Sequence, residues 1–158
     1  RVGDVVTKID DFEVNDAQGL RFRAATKGIG NTVNVAYLRD GGRGTAALRL
    51  VRAPESPPRS ITKIDGDNPL SGGTVANLSP AYAEELQIEI TSGVIITEMN
   101  RRSIAARLGF RPGDIVKTVN GRKIATVQAL QDALRGTPDR WELSVERNGE
   151  ILNLSVRA

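Results

Sequence analysis

Short apolar runs separated by turn-forming residues make up most of this chain. Residues 113–121 (Gly-Asp-Ile-Val-Lys-Thr-Val-Asn-Gly) show the pattern, with an apolar run between a glycine turn and an Asn-Gly turn. Alternating apolar and polar positions predict strands with one buried face, and a spacing of three to four predicts helices. We predict strands at 2–9, 32–38, 46–51, 61–64, 72–77, 93–99, 115–119, 141–146 and 151–156, and helices at 17–25, 80–86, 103–108 and 127–135.

The chain contains this turn–strand–turn unit twice. Gly3-Asp4 corresponds to Gly113-Asp114, which lies 110 positions later. Each copy continues with a helix, a strand, a hairpin turn and a final strand, as expected of an internal repeat. A further strand–helix–strand–helix segment precedes the second copy only. We therefore predict the C-terminal half of one domain at 1–53, a proline-rich linker at 54–70 and a complete second domain at 71–158.

The composition narrows the function mainly through the residue types that are missing. The 158 residues include no histidine and no cysteine, which excludes a Ser-His-Asp triad, a thiolate nucleophile and metal sites built from these residues. With 22 basic and 19 acidic residues, the net charge of +3 is too balanced for a dedicated nucleic-acid surface. No apolar run reaches the roughly 20 residues needed to span a bilayer. We expect no cofactor, no metal, no nucleic-acid partner, no membrane span and no catalysis by this chain itself.

Asp114 is the acidic residue of the second motif and the first candidate for a catalytic carboxylate. It follows Gly113 in a tight turn, and no partner motif accompanies it. Aspartate side chains commonly bond the backbone of the turn in which they stand. The sequence therefore predicts a structural role for Asp114.

Four stretches of the chain resemble the tandem PDZ region of the HtrA/Deg (Do-like) serine proteases of the bacterial envelope. They are residues 103–116 (Ser-Ile-Ala-Ala-Arg-Leu-Gly-Phe-Arg-Pro-Gly-Asp-Ile-Val), Val119-Asn120-Gly121, Arg147-Asn148-Gly149 and residues 68–80. The family usually has Ser-Pro-Ala-Ala at the positions that correspond to 103–106, and this chain has isoleucine in place of the proline at position 104. The resemblance implies an α+β, mainly β fold: a PDZ-like, partly open β-barrel or sandwich capped by two helices, with one complete copy and half of another. It also implies a periplasmic location, an upstream protease domain, a parent serine endopeptidase and a homo-oligomer.

PDZ domains bind an extended peptide, usually a free C-terminus, as an added strand beside a helix. The resemblance places the peptide-binding strand at Gly72, Gly73, Thr74, Val75 and Ala76, where a glycine-led turn would offer N–H donors to a carboxylate. The facing helix would contribute the stripe Val127, Gln131 and Leu134. Two simpler interpretations stay open: the glycines could form only a loop hinge, and the helix stripe could be ordinary core.

The expected function is therefore recognition of unfolded or C-terminal peptide segments, in protein quality control, for a protease domain elsewhere in the parent protein. An alternative is an oligomer-assembly module with little affinity for peptides. Another is the PDZ region of a different envelope protein, such as a site-2 protease or a secretion-system component.

Overall fold

The computed structural model describes residues 1–157. It divides into two compact units, Arg1–Arg52 and a second unit that begins at Ala53. Each unit is built on its own open antiparallel sheet, which is not closed into a barrel. The prediction of a mainly β, PDZ-like fold is confirmed.

Unit one has a four-stranded sheet with the strand order β2-β1-β3-β4. Its helix begins after Asp16, whose carboxylate accepts a hydrogen bond from the Gly19 N–H, a common N-cap arrangement. Its small core is formed by Ile9, Val33 and Val35. The elements are β1 (Val5–Ile9), β2 (Phe12–Glu13), α1 (Ala17–Lys27), β3 (Thr32–Arg39) and β4 (Gly42–Arg49).

Unit two has a seven-stranded sheet with the order β11-β10-β8-β7-β6-β5, and β9 pairs with β8 beside this path. Ser79, Ser103 and Thr126 cap its helices by accepting a hydrogen bond from an N–H three residues on. The elements are β5 (Thr62–Lys63), β6 (Gly73–Leu78), α2 (Pro80–Glu85), β7 (Gly93–Met99), α3 (Ile104–Arg107), β8 (Ile115–Val119), β9 (Arg122–Lys123), α4 (Val127–Leu134), β10 (Arg140–Arg147) and β11 (Glu150–Arg157).

The turn that follows the central strand is built in the same way in both units. Asp10 and Asn120 both have positive φ, 49° and 47°. The Asp10 carboxylate accepts a hydrogen bond from the Asn34 N–H, and the Asn120 side-chain oxygen accepts one from the Glu142 N–H. Aspartate and asparagine tolerate this left-handed conformation better than most residues. The repeated sequence motif therefore corresponds to repeated structure.

The core of unit two consists of two apolar clusters. The larger cluster joins the inner residues of α4 to those of the strands and includes Val75, Leu130 and Trp141. The smaller cluster includes Ala76 and Leu78 of β6 together with Tyr82. Successive residues of a strand point to opposite faces of a sheet, so β6 contributes to both clusters.

Much of the stretch predicted as a linker, 54–70, is folded into unit two. Thr62 and Lys63 form β5 on the edge of β6. Ile64 and Leu70 are buried in the larger cluster, at 4% and 1% exposure. The proline-rich composition indicated an extended backbone, but an extended backbone also suits a strand. The apolar side chains of Ile64 and Leu70 are what hold this stretch against the core.

Candidate functional site

The predicted peptide-binding strand and the predicted facing helix lie beside each other in unit two. β6 pairs along one edge with β7, from Gly73 opposite Met99 to Leu78 opposite Gly93. α4 lies against β6, and Val75 of β6 is buried in the same apolar cluster as Val127, Leu130 and Leu134 of α4. A strand edge next to a helix is the geometry that strand addition requires.

The other edge of β6 carries a stretch of the same chain, residues 58–64, which we name the resident segment. It runs antiparallel to β6, with Thr62 opposite Val75 and Lys63 opposite Thr74. Ser60 has a positive φ of 47°, which interrupts regular pairing beyond these two residues. The resident segment therefore occupies the edge that an added peptide strand would use.

One end of the resident segment is held at the glycine-led turn. The Ile64 N–H donates to the Gly73 carbonyl at 2.8 Å, and the Gly72 N–H donates to the Ile64 carbonyl at 2.8 Å. The Ile64 side chain is 4% exposed and lies in the same cluster as Val127 and Leu134. Burial of an isoleucine side chain stabilises a fold by about 2 kcal/mol. Ile64 thus fixes this end through its backbone and its side chain.

The other end is held by Asn77, a buried polar residue at 5% exposure. Its backbone N–H donates to the Arg59 carbonyl at 2.6 Å, and its side-chain Nδ2 donates to the Pro58 carbonyl at 2.8 Å. Its Oδ1 accepts a hydrogen bond from the Val127 N–H at 2.6 Å. Val127 is the first residue of α4, and its N–H has no partner within the helix. Asn77 therefore joins the resident segment to the start of the facing helix.

Arg59 adds an exposed charged contact at this end. Its guanidinium forms ion pairs with Glu55 and Glu85, both at 2.6 Å, and lies 4.2 Å from the centre of the Tyr82 ring. These hydrogen bonds, that of Glu85 first, raise the pKa of Arg59 above its usual range. The bond from Arg59 lowers the pKa of Glu85. Solvent screens such exposed pairs, so their contribution to stability is small and depends on salt.

Of the adjacent residues Gly72 and Gly73, the first must be glycine for steric reasons. Gly72 has a φ of +86°, and a Cβ placed there would lie 2.3 Å from the Ser103 Cβ. The Gly73 N–H donates to the Leu70 carbonyl at 3.1 Å. The N–H groups that the sequence offered to a carboxylate are thus directed at carbonyls of the chain itself. The Ile64 carbonyl stands where Gly72 would bind a ligand's oxygen.

The remaining predicted site residues are divided between the two faces of β6 and the helix. Val75, Val127 and Leu134 are buried together in the larger cluster. Gln131 is half-buried on α4. Ala76 packs in the smaller cluster, so its side chain does not share the cluster of Val75 and α4. Only the backbone of Ala76 is available to a peptide added on this edge.

Sequence reasoning missed Ile64 and Asn77. The available signal for Asn77 was an amide residue inside an otherwise apolar strand (Val75-Ala76-Asn77-Leu78), which predicts a buried hydrogen-bonding role. For Ile64 the only signal was its short apolar run, and nothing local indicated which strand it would join.

The described part of the chain, residues 1–157, contains no group of three or more acidic, histidine or cysteine side chains that could hold a metal ion. Among the helices of the same residues, none is long and apolar enough to cross a membrane. What this site offers is the backbone hydrogen-bonding groups of β6 and of Gly72, next to the buried apolar side chains of Val127 and Leu134.

Two family models, each described as a PDZ domain, match residues 1–50 and 95–147. The structure of the HtrA-type protease AlgW with a decapeptide has a similar fold over 79% of this chain and 48% of its own, with a TM-score of 0.50 and 19% identity. The chain belongs to the PDZ domain family.

Two curated relatives place the chain more narrowly within that family. The "probable periplasmic serine protease do/HhoA-like" of Haemophilus influenzae is 25% identical over 157 residues, which are 99% of this chain and 31% of that protein. The periplasmic serine endoprotease DegP of Salmonella typhimurium is 23% identical over 157 residues, 99% of this chain and 30% of that protein. The chain is related to the PDZ region of the HtrA/Deg serine proteases and spans less than a third of the length of these relatives.

Proposed function

We propose that this chain is the substrate-recognition and regulatory PDZ region of an HtrA-like serine endopeptidase, which binds extended or C-terminal peptide segments by strand addition. In this proposal the edge of β6, the glycine turn at Gly72 and the helix α4 form the peptide groove of unit two. The main chain of the peptide supplies affinity, and an apolar pocket beside α4 supplies selectivity.

The observation that carries this proposal is the way the resident segment lies on β6. It is an extended stretch that pairs antiparallel with the strand, places the carbonyl of its last residue on the Gly72 N–H and buries the side chain of that residue. A bound C-terminal peptide would make the same contacts, with a carboxylate oxygen in place of the Ile64 carbonyl. These contacts support the proposal that β6, Gly72 and α4 form a peptide groove.

The remaining parts of the proposal follow from the relatives. Both curated relatives are named as periplasmic serine proteases, so we place the parent protein in the periplasm with its catalytic domain outside this chain. Unfolded or C-terminal segments of other proteins are the proposed partners, together with that protease domain and further copies in a homo-oligomer. We propose that 1–53 and 71–158 are the two domains and that residues 54–70, much of which folds into unit two, connect them.

A synthetic peptide with the sequence of residues 58–64 (Pro-Arg-Ser-Ile-Thr-Lys-Ile) and a free carboxylate tests the proposal. Titration into the isotopically labelled chain, followed by NMR, should shift the amide signals of β6 and of Gly72. The same peptide with an amidated C-terminus is the matched control and should bind more weakly, because it lacks the charge. An absence of shifts in β6 at millimolar peptide, both in the unaltered chain and in the Ile64→Ala variant, would contradict peptide recognition at this site.

A second candidate function is oligomer assembly with little affinity for peptides. The observation in its favour is that the edge of β6 is already paired within the chain. Light scattering after size-exclusion chromatography distinguishes the two candidates. A chain that forms a defined oligomer and gives no peptide-dependent shifts supports assembly.

A further inference from the structure

We propose that the resident segment is a tethered competitor for the groove of unit two, which an incoming peptide must displace before it can bind. The inference rests on the proposed function, because it takes the edge of β6 beside α4 as the place where peptides bind.

The first argument is that the resident segment and an external peptide would bind to the same atoms of β6 and Gly72. A strand can pair with one neighbour on each edge, and the edge of β6 away from β7 is paired with Thr62 and Lys63. The Gly72 N–H, which would receive a ligand's carboxylate, donates to the Ile64 carbonyl. The Ile64 side chain is buried in the apolar cluster that also contains Val127 and Leu134 of α4. An external peptide therefore cannot bind while the resident segment is in place.

The second argument is that little of the resident segment is buried. Its regular pairing with β6 covers two residues, and its backbone departs from an extended conformation at Ser60. Ile61 is 66% exposed, and Lys63 is also exposed. Ile64 is the one fully buried side chain between residues 58 and 64. Segments with few buried contacts open locally at a lower free energy than the core does.

The third argument concerns where the segment leads. After Ile64 the chain turns at Gly66, whose φ is +98°, and is fixed again at Asn68, which is 7% exposed. The Asn68 side chain accepts a hydrogen bond from the Leu70 N–H and donates one to the Asp65 carbonyl. The segment is thus tethered near the groove even when it is displaced. A tether gives it a high effective concentration, so the apparent affinity for an external peptide is reduced in proportion to the fraction of open groove.

A reversible cross-link tests the inference on the full chain. Lys63 and Thr74 face each other across the pairing of β5 with β6, and opposed strand positions lie within the range that a disulfide spans. The double variant Lys63→Cys/Thr74→Cys introduces the only cysteines in the chain. When oxidised, it should lose the shifts that the 58–64 peptide causes in β6, because the segment cannot leave. Reduction of the same sample should restore them.

A release variant tests the opposite direction. Ile64→Ala removes most of the buried side chain that anchors the segment, so the 58–64 peptide, which ends in isoleucine, should bind about tenfold more tightly than it binds the unaltered chain. Ile61→Ala removes the same atoms from an exposed side chain of the same segment. It should leave the affinity unchanged.

The outcomes separate this inference from the proposed function. Loss of binding on oxidation with recovery on reduction supports both. Equal binding by the oxidised, reduced and unaltered chains leaves peptide recognition in place and overturns the competition. If the peptide binds to no form of the chain, including the reduced double variant and Ile64→Ala, both the competition and peptide recognition at this site are overturned. If Ile64→Ala does not fold, the oxidised and reduced forms of the double variant still decide the question.

Discussion

Arg147 forms a two-point ion pair with Asp114 at the start of β8. Its Nε lies 2.6 Å from Oδ1 of the carboxylate, and its Nη2 lies 2.8 Å from Oδ2. Unit one has the same pair, in which Arg39 contacts Asp4 at 2.7 and 2.6 Å. The Asp114 side chain is 1% exposed and that of Asp4 is 12% exposed. The repeated motif therefore holds the same ion pair in two environments.

The prediction for this pair is that Arg147→Ala destabilises unit two by about 3 kcal/mol, because it leaves a buried carboxylate without its cation. Trp141 is the only tryptophan in the chain and is 3% exposed in the core of unit two. Its fluorescence during urea unfolding therefore reports on this unit. Arg39→Ala is the matched control, and it should leave the Trp141 transition of unit two unchanged. An unaltered midpoint in Arg147→Ala would show that the pair contributes little.

Gly72→Ala should destabilise unit two more than a glycine substitution made at an open turn. The new Cβ would lie 2.3 Å from the Ser103 Cβ, and the backbone would keep a φ of +86°. Gly121→Ala is the control, since Gly121 has a φ of +76° and nothing within 4 Å of the added carbon. Gly121→Ala should cost about 1 kcal/mol for the left-handed backbone alone. We expect Gly72→Ala to lower the urea midpoint further, and equal midpoints would contradict the steric argument.

Two substitutions at Asn77 should separate its roles toward the helix and toward the resident segment. Asn77→Asp keeps the oxygen that accepts from the Val127 N–H, and places a negative charge at the positive end of a helix. It loses the Nδ2 donor to the Pro58 carbonyl. Asn77→Ala loses both contacts and leaves a buried N–H unpaired, at a cost of about 1–3 kcal/mol.

Hydrogen exchange is the measurement for the Asn77 variants. The Val127 amide should stay protected in Asn77→Asp and lose protection in Asn77→Ala. The Ile64 amide should lose protection in both, because both weaken the far end of the segment. Equal protection of Val127 in the two variants would show that Asn77 does not hold the helix start.

Acid should loosen the Arg59 end of the resident segment. Hydrogen bonding from Arg59 lowers the pKa of Glu85, so the charged pair favours the folded state at every pH above the ordinary glutamate pKa of about 4.3. This contribution is lost as the pH falls through the lowered folded-state pKa of Glu85. The protection factor of the Asn77 amide, which bonds the Arg59 carbonyl, should therefore fall below about pH 4.

The matched controls for the pH experiment lie on α2. In Glu85→Gln the Asn77 amide should be less protected at neutral pH than in the unaltered chain. The fall in its protection that comes from protonation of Glu85 at low pH should be absent. Glu84→Gln changes an exposed neighbour and should behave like the unaltered chain. Raising the salt concentration should reduce the difference between the two variants, because the pair is exposed. If the protection of the Asn77 amide still falls at low pH in Glu85→Gln, other carboxylates cause the acid response.

Local sequence patterns predicted most of the strands and helices. β7 and β8 have the bounds that the β-branched runs predicted, 93–99 and 115–119. The helices that begin after Ser79, Ser103 and Thr126 follow from hydroxyl caps, which are recognisable without tertiary information. The two-residue strands β2 and β9 were not predicted. Two residues contain no alternation, and these strands exist only because β1 and β8 lie beside them.

The candidate site, too, was predicted from the sequence only in part. The sequence alone predicted a glycine-led strand at 72–77 and a helix at 127–135 with Val127 and Leu134 on one face, because turns, caps and periodicity are local properties. The structure has these elements at Gly73–Leu78 and Val127–Leu134. The family resemblance supplied the expectation that the two elements face each other across a groove. Neither source indicated that residues 58–64 lie in that groove.

The sequence by itself therefore determined the repeat, the turns and the types of the elements. Only the tertiary structure decided that the edge of β6 is covered and that Ile64 is buried in the same apolar cluster as α4. The physical reason is that pairing between strands and burial of single side chains depend on competition among many possible long-range partners. Any short extended apolar run could have joined this edge, and the fold selects the one whose neighbours, Leu70 and Asn77, are already fixed around it.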